Sequence, residues 1–214
     1  MRKKIYFLIL TSGTAAIIIS AGAYLLFFRN HSPRADLSGA ELRTNPSEET
    51  NPDASAAANQ KNSANNPEFL AAVNQLDSAE KVSDYLKNNF SLMDNESDSA
   101  LAPTVFFAKK TGGPQDAAVF AAYVLKQHGF ETGVLIYRGE KNNLPFSHAV
   151  AVFRGADVPK YLTAGNGGIE IIAHGWSFND LLKKEEERTG SVISEYSFLE
   201  PGTTNLAGGE WVKK

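Results

Sequence analysis

The chain has 214 residues, 43% of them hydrophobic, and a formal net charge of −3. This length suits one folded domain with extensions. The absence of cysteine excludes disulfides, thiolate metal sites and thiol catalysis, and the slightly acidic balance gives no electrostatic basis for nucleic-acid binding.

The N-terminus has the pattern of a membrane anchor. Residues 1–4 carry three basic side chains, and residues 5–28 form an uncharged, mostly apolar run. This run is longer than the ~20 residues that cross a bilayer, and it predicts a transmembrane signal anchor. A cleaved signal peptide is the alternative, because residues 21–23 are small, but the apolar run continues beyond them to Phe28.

The basic residues also predict an orientation. They predict that residues 1–4 form a short cytoplasmic N-terminus. The chain after the anchor is then expected on the periplasmic or extracellular side of a bacterial cytoplasmic membrane. Residues 29–66 are rich in Ser, Ala, Asn, Pro and Glu and poor in large apolar side chains. Such a segment buries too little area to offset its ordering entropy, so a disordered tether is predicted.

Residues 67–214 are predicted to form the folded domain, which begins with helical patterns. Apolar residues recur at helical spacing from Phe69 to Leu76 and again from Val82 to Phe90, where Asp77 or Ser78 is the expected N-cap. A short apolar segment, Val105 to Ala108, predicts a third helix.

The next helix is expected to be the buried centre of the domain. Pro114 suits a first helical position, where its missing N–H costs nothing. The residues that follow, through Leu125, are apolar all round, which is typical of an enclosed helix. Gly129 is the expected C-terminal cap.

From Thr132 onward the pattern becomes that of strands. Strands are predicted over 132–137, 149–153, 161–163, 169–173 and 192–198. A helix capped by Ser177 is expected before the last strand, with the charged run 183–188 as its solvated face. Helices followed by adjacent strands indicate an α+β fold with a mostly antiparallel sheet.

Three segments together resemble the transglutaminase-like superfamily. Gly112-Gly113-Pro114-Gln115-Asp116-Ala117-Ala118 resembles the family's nucleophile segment, which carries a cysteine at the start of a helix. Ser147-His148-Ala149-Val150-Ala151-Val152 resembles its histidine strand, and residues 160–164 resemble its third strand. The resemblance spans residues 105–166 and implies a papain-like core, in which a helical N-terminal half packs its central helix on the sheet.

The resemblance also implies positions for a site. Pro114 stands at the nucleophile position and has no group that attacks a carbonyl, whereas His148 stands at the base position. The acidic third position falls near Ala164, and Asn166 is the alternative partner for an imidazole. Pro114, His148 and Ala164 are therefore interpreted as a vestigial catalytic site, with Asp116, His148 and Asn166 as candidate binding residues. Asp116 as a helix-stabilising acid and His148 as a satisfied core residue are the simpler interpretations.

The leading hypothesis is a membrane-anchored, catalytically inactive domain that binds a peptide, protein or cell-wall component. The alternative is a hydrolase or peptidase that uses His148 and Asp116, with Ser147 or Thr111 as nucleophile. Adjacent strand residues point to opposite faces, which separates Ser147 from His148. A purely structural or assembly role is the third possibility. The four histidines lack metal-ligand spacing, so no metal and no cofactor are expected.

Overall fold

The computed structural model describes residues 66–93, 97–155, 158–165 and 168–214. Over these ranges the chain forms five α-helices, a six-stranded sheet and a separate two-stranded ladder. The helices are α1 (Pro67–Gln75), α2 (Ala79–Asn89), α3 (Pro103–Lys109), α4 (Pro114–Gln127) and α5 (Phe178–Thr189). The strands are β1 (Ser91–Leu92), β2 (Thr111–Gly112), β3 (Glu131–Lys141), β4 (Leu144–Arg154), β5 (Lys160–Gly165), β6 (Gly168–Ala173), β7 (Val192–Leu199) and β8 (Val212–Lys213).

Side-chain caps fix where the helices begin. Ser78 accepts a hydrogen bond from the Lys81 amide at the start of α2, and Ser177 does the same for Asp180 at the start of α5. Each cap satisfies an amide that has no partner within its helix. The predicted start of α5 is confirmed, and of the two expected caps for α2 it is Ser78 that acts.

Helix α4 is the enclosed centre of the fold, as predicted. Pro114 occupies its first position, and most of its side chains are buried. Helices α2 and α3 pack on one side of α4, and strands β3, β4 and β5 pack on the other. The helix ends at Gln127, and Gly129 follows with φ of 80°, the left-handed conformation that glycine adopts at helix ends.

The sheet has the strand order β6-β5-β4-β3-β7-β8, and every neighbouring pair is antiparallel. This confirms the predicted α+β class. The hairpin of β3 and β4 is longer than the predicted segments 132–137 and 149–153, because the pairing continues to Lys141 opposite Leu144. Asn142 and Asn143 form its turn with φ of 53° and 61°. Asparagine tolerates this conformation, which suits a two-residue hairpin turn.

The two faces of the sheet carry separate hydrophobic clusters. The first face, with Val134, Ile136, Ala149 and Ala151, packs with α4. The second face, with Leu135, Tyr137, Val150 and Val152, packs under Leu181 and Leu182 of α5. The alternation along each strand follows from the two-residue repeat of a pleated strand. A side chain's position in the strand therefore decides which helix it meets.

The expectation that residues 183–188 form a solvated helix face is wrong in part. Glu185 is fully buried, although Lys183, Lys184 and Glu187 are exposed. Glu185 lies one helical turn after Leu181, so it shares the side of α5 that faces the sheet. Hydrogen bonds from the sheet and from its own helix make that burial tolerable.

The predicted anchor over residues 5–28 and all but the last residue of the predicted tether lie outside the described residues. Among the helices of the described ranges, none is long and apolar enough to cross a membrane.

Removing the ring of Phe120 should destabilise the domain strongly. Phe120 is fully buried in α4 and contacts the rings of Phe69, Phe90 and Phe106. We expect Phe120→Ala to lower the free energy of unfolding by about 3–5 kcal/mol in urea denaturation followed by circular dichroism. Leu144→Ala is the control, because Leu144 is 67% exposed. Equal losses in the two variants would contradict a core organised around α4.

Candidate functional site

The first candidate site is a cleft at the start of α4. It has a volume of about 290 Å³. Its lining comes from the ends of β1 and α3, from β2, from the first turn of α4 and from the segment before α3. These residues are Met93, Ser97, Ser99, Ala100, Leu101, Lys109, Thr111, Gly112, Gln115 and Asp116. The segment that resembles a nucleophile region therefore does border an open space.

Asp116 holds this cleft together. One carboxylate oxygen, Oδ1, accepts a hydrogen bond from the Leu101 amide at 2.6 Å, and the other, Oδ2, accepts one from the Gly113 amide at 2.6 Å. The carboxylate also lies in the first turn of α4, where the helix dipole favours a negative charge. Because both oxygens bind backbone amides, Asp116 fixes the segment before α3 against the start of α4.

Gly112 is needed for this close packing. A Cβ atom at that position would lie 2.4 Å from Oδ2 of Asp116 and 2.7 Å from the ring of Phe106. Both distances are far below van der Waals contact, and both neighbours are buried. The glycine that the sequence places two residues before Pro114 thus lets the carboxylate approach the backbone.

His148 lies on the other face of the sheet. It stands opposite Tyr137 in the pairing of β3 and β4, and its Nε2 lies 3.1 Å from the Thr163 hydroxyl. Its ring stacks on Phe146, with ring planes 10° apart. The predicted sharing of one face by His148, Val150 and Val152 agrees with this placement, and that face packs with α5.

The structure does not bring the three vestigial positions together. Pro114 and Ala164 are buried on the face of the sheet that carries α4, whereas His148 points to the face that carries α5. Asn166 lies outside the described residues. A binding role for Asp116 and His148 stays a prediction, but the two residues belong to different sites. Within the described ranges, no group of three or more His, Asp or Glu side chains is placed to hold a metal ion.

A polar network beneath α5 was missed by sequence reasoning. The buried carboxylate of Glu185 accepts hydrogen bonds from the Tyr137 hydroxyl and from Nε of Arg188 at 2.8 Å. Nη2 of Arg188 donates to Glu185 at 2.7 Å and to the Thr163 hydroxyl at 3.0 Å. Thr163 in turn contacts His148, so the network runs from the interior to the half-buried imidazole.

The network sets the charge state of its members. Burial by itself would raise the pKa of Glu185, but hydrogen bonds from Arg188 and Tyr137 and the positive charge of Arg188 outweigh it, so the pKa lies below its ordinary value. Burial raises the pKa of Tyr137 well above its ordinary value, which keeps the phenol a hydrogen-bond donor. The result is an ion pair within α5, between a buried carboxylate and a partly exposed guanidinium. Its hydrogen bonds to Tyr137 and Thr163 join α5 to the sheet.

The sequence did contain a signal for this network. Glu185 and Arg188 are three residues apart on a helix, the spacing of a favourable ion pair, and Glu185 follows Leu181 at the spacing of one helical face. An acidic residue on the same helix face as buried apolar side chains indicates a buried carboxylate that is paired with a positive charge. Tyr137 lies two residues after Leu135 along β3, so both side chains point to the face of the sheet that packs with α5.

Two other polar side chains lie buried near this network. Among the described residues, neither the Tyr161 hydroxyl nor either ring nitrogen of His174 has a hydrogen-bond partner. Their rings contact each other at 5.8 Å between centroids. Burial lowers the pKa of His174 from 6.5 to about 4, so the imidazole is neutral at physiological pH. His174 lies in the connection from β6 to α5.

Comparison with known proteins gives similarity at the level of structure. No protein-family model matches the chain, and no curated protein matches it. Among solved structures, the chain is similar to Legionella pneumophila LapG (EGTA-treated) at 13% sequence identity. The match covers 69% of this chain and 79% of that chain, with a TM-score of 0.41. No activity or ligand is carried over from a likeness at this level.

Replacing Asp116 with its neutral isostere should destabilise the cleft. In Asp116→Asn one acceptor oxygen becomes an amide that faces a backbone N–H. We expect the free energy of unfolding to fall by about 1–3 kcal/mol in urea denaturation. Asp84→Asn on the exposed side of α2 is the matched control, with an expected change within about 0.5 kcal/mol. A similar effect of both variants would show that the bonds to Leu101 and Gly113 contribute little.

His174 should make the domain acid-sensitive. Between pH 6.5 and about 4 the unfolded chain binds a proton at His174 that the folded chain does not, so stability falls as the pH falls through this window. The shift corresponds to about 3 kcal/mol. His174→Phe keeps an aromatic ring and removes the titratable group, so it should remove this part of the pH dependence in unfolding curves measured from pH 7 to 4.

Glu185 acts in a separate, more acidic window. Its folded pKa lies below its ordinary value of 4.5, so its contribution is present above pH 4.5 and is lost only as the pH falls through the lower folded value. The loss below pH 4.5 should therefore persist in His174→Phe. Unchanged pH dependence between 6.5 and 4 in that variant would refute the assignment to His174.

Proposed function

We propose that this chain is a membrane-tethered, non-catalytic domain of the transglutaminase-like type, which binds a peptide, protein or cell-wall component in the cleft at the start of α4. The observation that carries this proposal is the state of Asp116, whose two oxygens both bind backbone amides. A carboxylate whose two oxygens are both engaged by backbone amides holds the cleft in shape and has no free oxygen to take up a proton from a ligand. Pro114, at the position where the resemblance places a nucleophile, supports the same interpretation.

The separation of His148 from the cleft gives further support. A general base has to lie within about 3 Å of the group that it deprotonates. His148 points to the face of the sheet that packs with α5, whereas Thr111 and Asp116 border the cleft on the α4 side. Thr163, which His148 contacts, is not available as a nucleophile in place of Thr111. Its side chain is only 1% exposed, and its hydroxyl also accepts a hydrogen bond from Arg188.

The lining of the cleft suits a polar, extended ligand. Ser97, Ser99 and Thr111 are exposed and supply hydroxyl groups, and Met93 supplies an apolar contact at 55% exposure. Lys109 adds an exposed positive charge, which favours ligands that carry carboxylates. Peptides, including the peptide parts of a cell wall, have this chemistry.

The membrane part of the proposal rests on the sequence alone. The apolar run 5–28 and the basic residues before it predict a single-pass anchor with its N-terminus inside. The tether then places the domain outside the cytoplasmic membrane, where cell-wall components and envelope proteins are within reach. Resistance of the full chain to carbonate extraction from membranes, with protection of the N-terminus from added protease in intact cells, tests this arrangement.

A charge reversal at the rim of the cleft tests binding. The full chain in detergent is incubated with purified cell-wall sacculi and with an array of acidic peptides, and bound material is quantified. We expect Lys109→Glu to weaken binding about tenfold, and Lys87→Glu on α2 to leave it unchanged, because both lysines are exposed but only Lys109 lines the cleft.

The same incubation separates binding from catalysis. Mass spectrometry of the recovered ligand should show no cleaved product, and Pro114→Cys should create no thiol-dependent hydrolysis, since His148 lies on the other face of the sheet. Cleavage that disappears in His148→Ala would replace the binding proposal with the hydrolase alternative. Equal binding by the two lysine variants would place the ligand outside the cleft.

A further inference from the structure

One side of the cleft is a segment without regular secondary structure, residues 98–101, here called the cleft wall. Its outer edge pairs with residues 204–206 through two backbone hydrogen bonds. The Ala100 amide donates to the Thr204 carbonyl at 2.8 Å, and the Leu206 amide donates to the Asp98 carbonyl at 2.9 Å. Residues 204–211, here called the strap, therefore pair with the cleft wall at their first three residues.

The inner edge of the cleft wall has a different support. The Leu101 amide donates to Asp116, which belongs to the buried helix α4. Asp98 and Ser99 are exposed, and only part of the wall's surface is covered. A segment with few buried contacts opens at low free energy unless neighbouring elements hold it. The position of the cleft wall thus depends on Asp116 from inside and on the strap from outside.

The strap is seated firmly at two points. Leu206 is fully buried in the cluster around α4. Gly209 lies so close to β7 that an added Cβ would stand 2.1 Å from the Ser197 hydroxyl. Trp211 packs against the same cluster and donates from Nε1 to the Ala207 carbonyl at 3.3 Å. The strap is therefore part of the folded domain and not a loose extension.

Arg138 connects the strap to the cleft wall. It extends from β3 on the face that carries α4, and its guanidinium lies 4.0 Å from the centre of the Trp211 ring. Its Nη2 also forms an ion pair with Asp98 at 2.7 Å. A single side chain thus contacts the wall through a charge and the strap through an aromatic face.

We propose that the strap is a clasp that sets the width of the cleft, with Arg138 as its fastening. Loss of the two Arg138 contacts lets residues 98–101 move away from Asp116, and the cleft widens. Exposed ion pairs and cation–π contacts are individually weak, so a ligand or partner that competes for Arg138 is able to release the clasp. The proposal concerns the wall itself and holds whatever the cleft binds.

Hydrogen exchange of the full chain tests the clasp. We expect Arg138→Gln to accelerate exchange of the Ala100, Leu101 and Leu206 amides about five- to tenfold, while amides in the middle of α4 are unchanged. Arg154→Gln is the matched control, because Arg154 forms a comparable ion pair with Glu131 and contacts the ring of Trp176 away from the cleft. It should leave the exchange of the wall and strap amides unchanged.

Two further variants keep the test decisive. Arg138→Lys retains the charge and should restore part of the protection. Asp98→Ala removes an exposed side chain together with its ion pair to Arg138, so the domain should stay folded and the exchange of the Ala100 and Leu206 amides should still accelerate. Unaltered exchange of these amides in Arg138→Gln and Asp98→Ala overturns the proposal, as does acceleration in α4 to the same extent. No ligand enters the experiment, so its outcome is independent of whether the cleft binds a peptide.

Discussion

The enclosure of α4 is the constraint on which the rest of the structure depends. A helix with almost no polar surface has to be covered on every side, and it is covered by α2 and α3 on one side and by three strands on the other. The residues of its first turn are buried, so their amides need partners within the protein. Asp116 accepts hydrogen bonds from the Gly113 amide and from the Leu101 amide. The same carboxylate therefore compensates the burial of the first turn of α4 and holds the segment that shapes the cleft.

The same constraint separates two chemistries. The cleft side holds a carboxylate bound to backbone amides. The opposite side holds the ion pair of Glu185 and Arg188 within α5, which hydrogen bonds to Tyr137 and Thr163 join to the sheet. Because the sheet lies between them, the imidazole of His148 belongs to the second system and is coupled to Glu185 through Thr163 and Arg188. The polar groups of the domain are thus divided between the two faces of the sheet.

Burial has opposite consequences for the two charged or titratable groups under α5. Glu185 stays ionised because Arg188 and Tyr137 replace the water that it loses. For His174 burial outweighs the groups around it and lowers the pKa to about 4, so the imidazole stays neutral at physiological pH. The first group joins α5 to the sheet through Tyr137, and the second makes the same region sensitive to acid. Partnering, and not burial alone, decides the charge state.

Local pattern by itself determined the helices, the cap of α5, the positions of five strands along the chain and the α+β class, because helical and strand periodicities and capping side chains act over a few residues. The order of the strands in the sheet, with β7 beside β3, came from the tertiary structure. Local pattern also placed His148 on the face of Val150. Only the tertiary structure decided which helix covers that face. Both faces of these strands carry apolar side chains, so the sequence pattern does not show which helix packs on which face. For the same reason Glu185 was expected in solvent. Exposure of a charged helix position depends on the element opposite, and here that element is Tyr137 on β3.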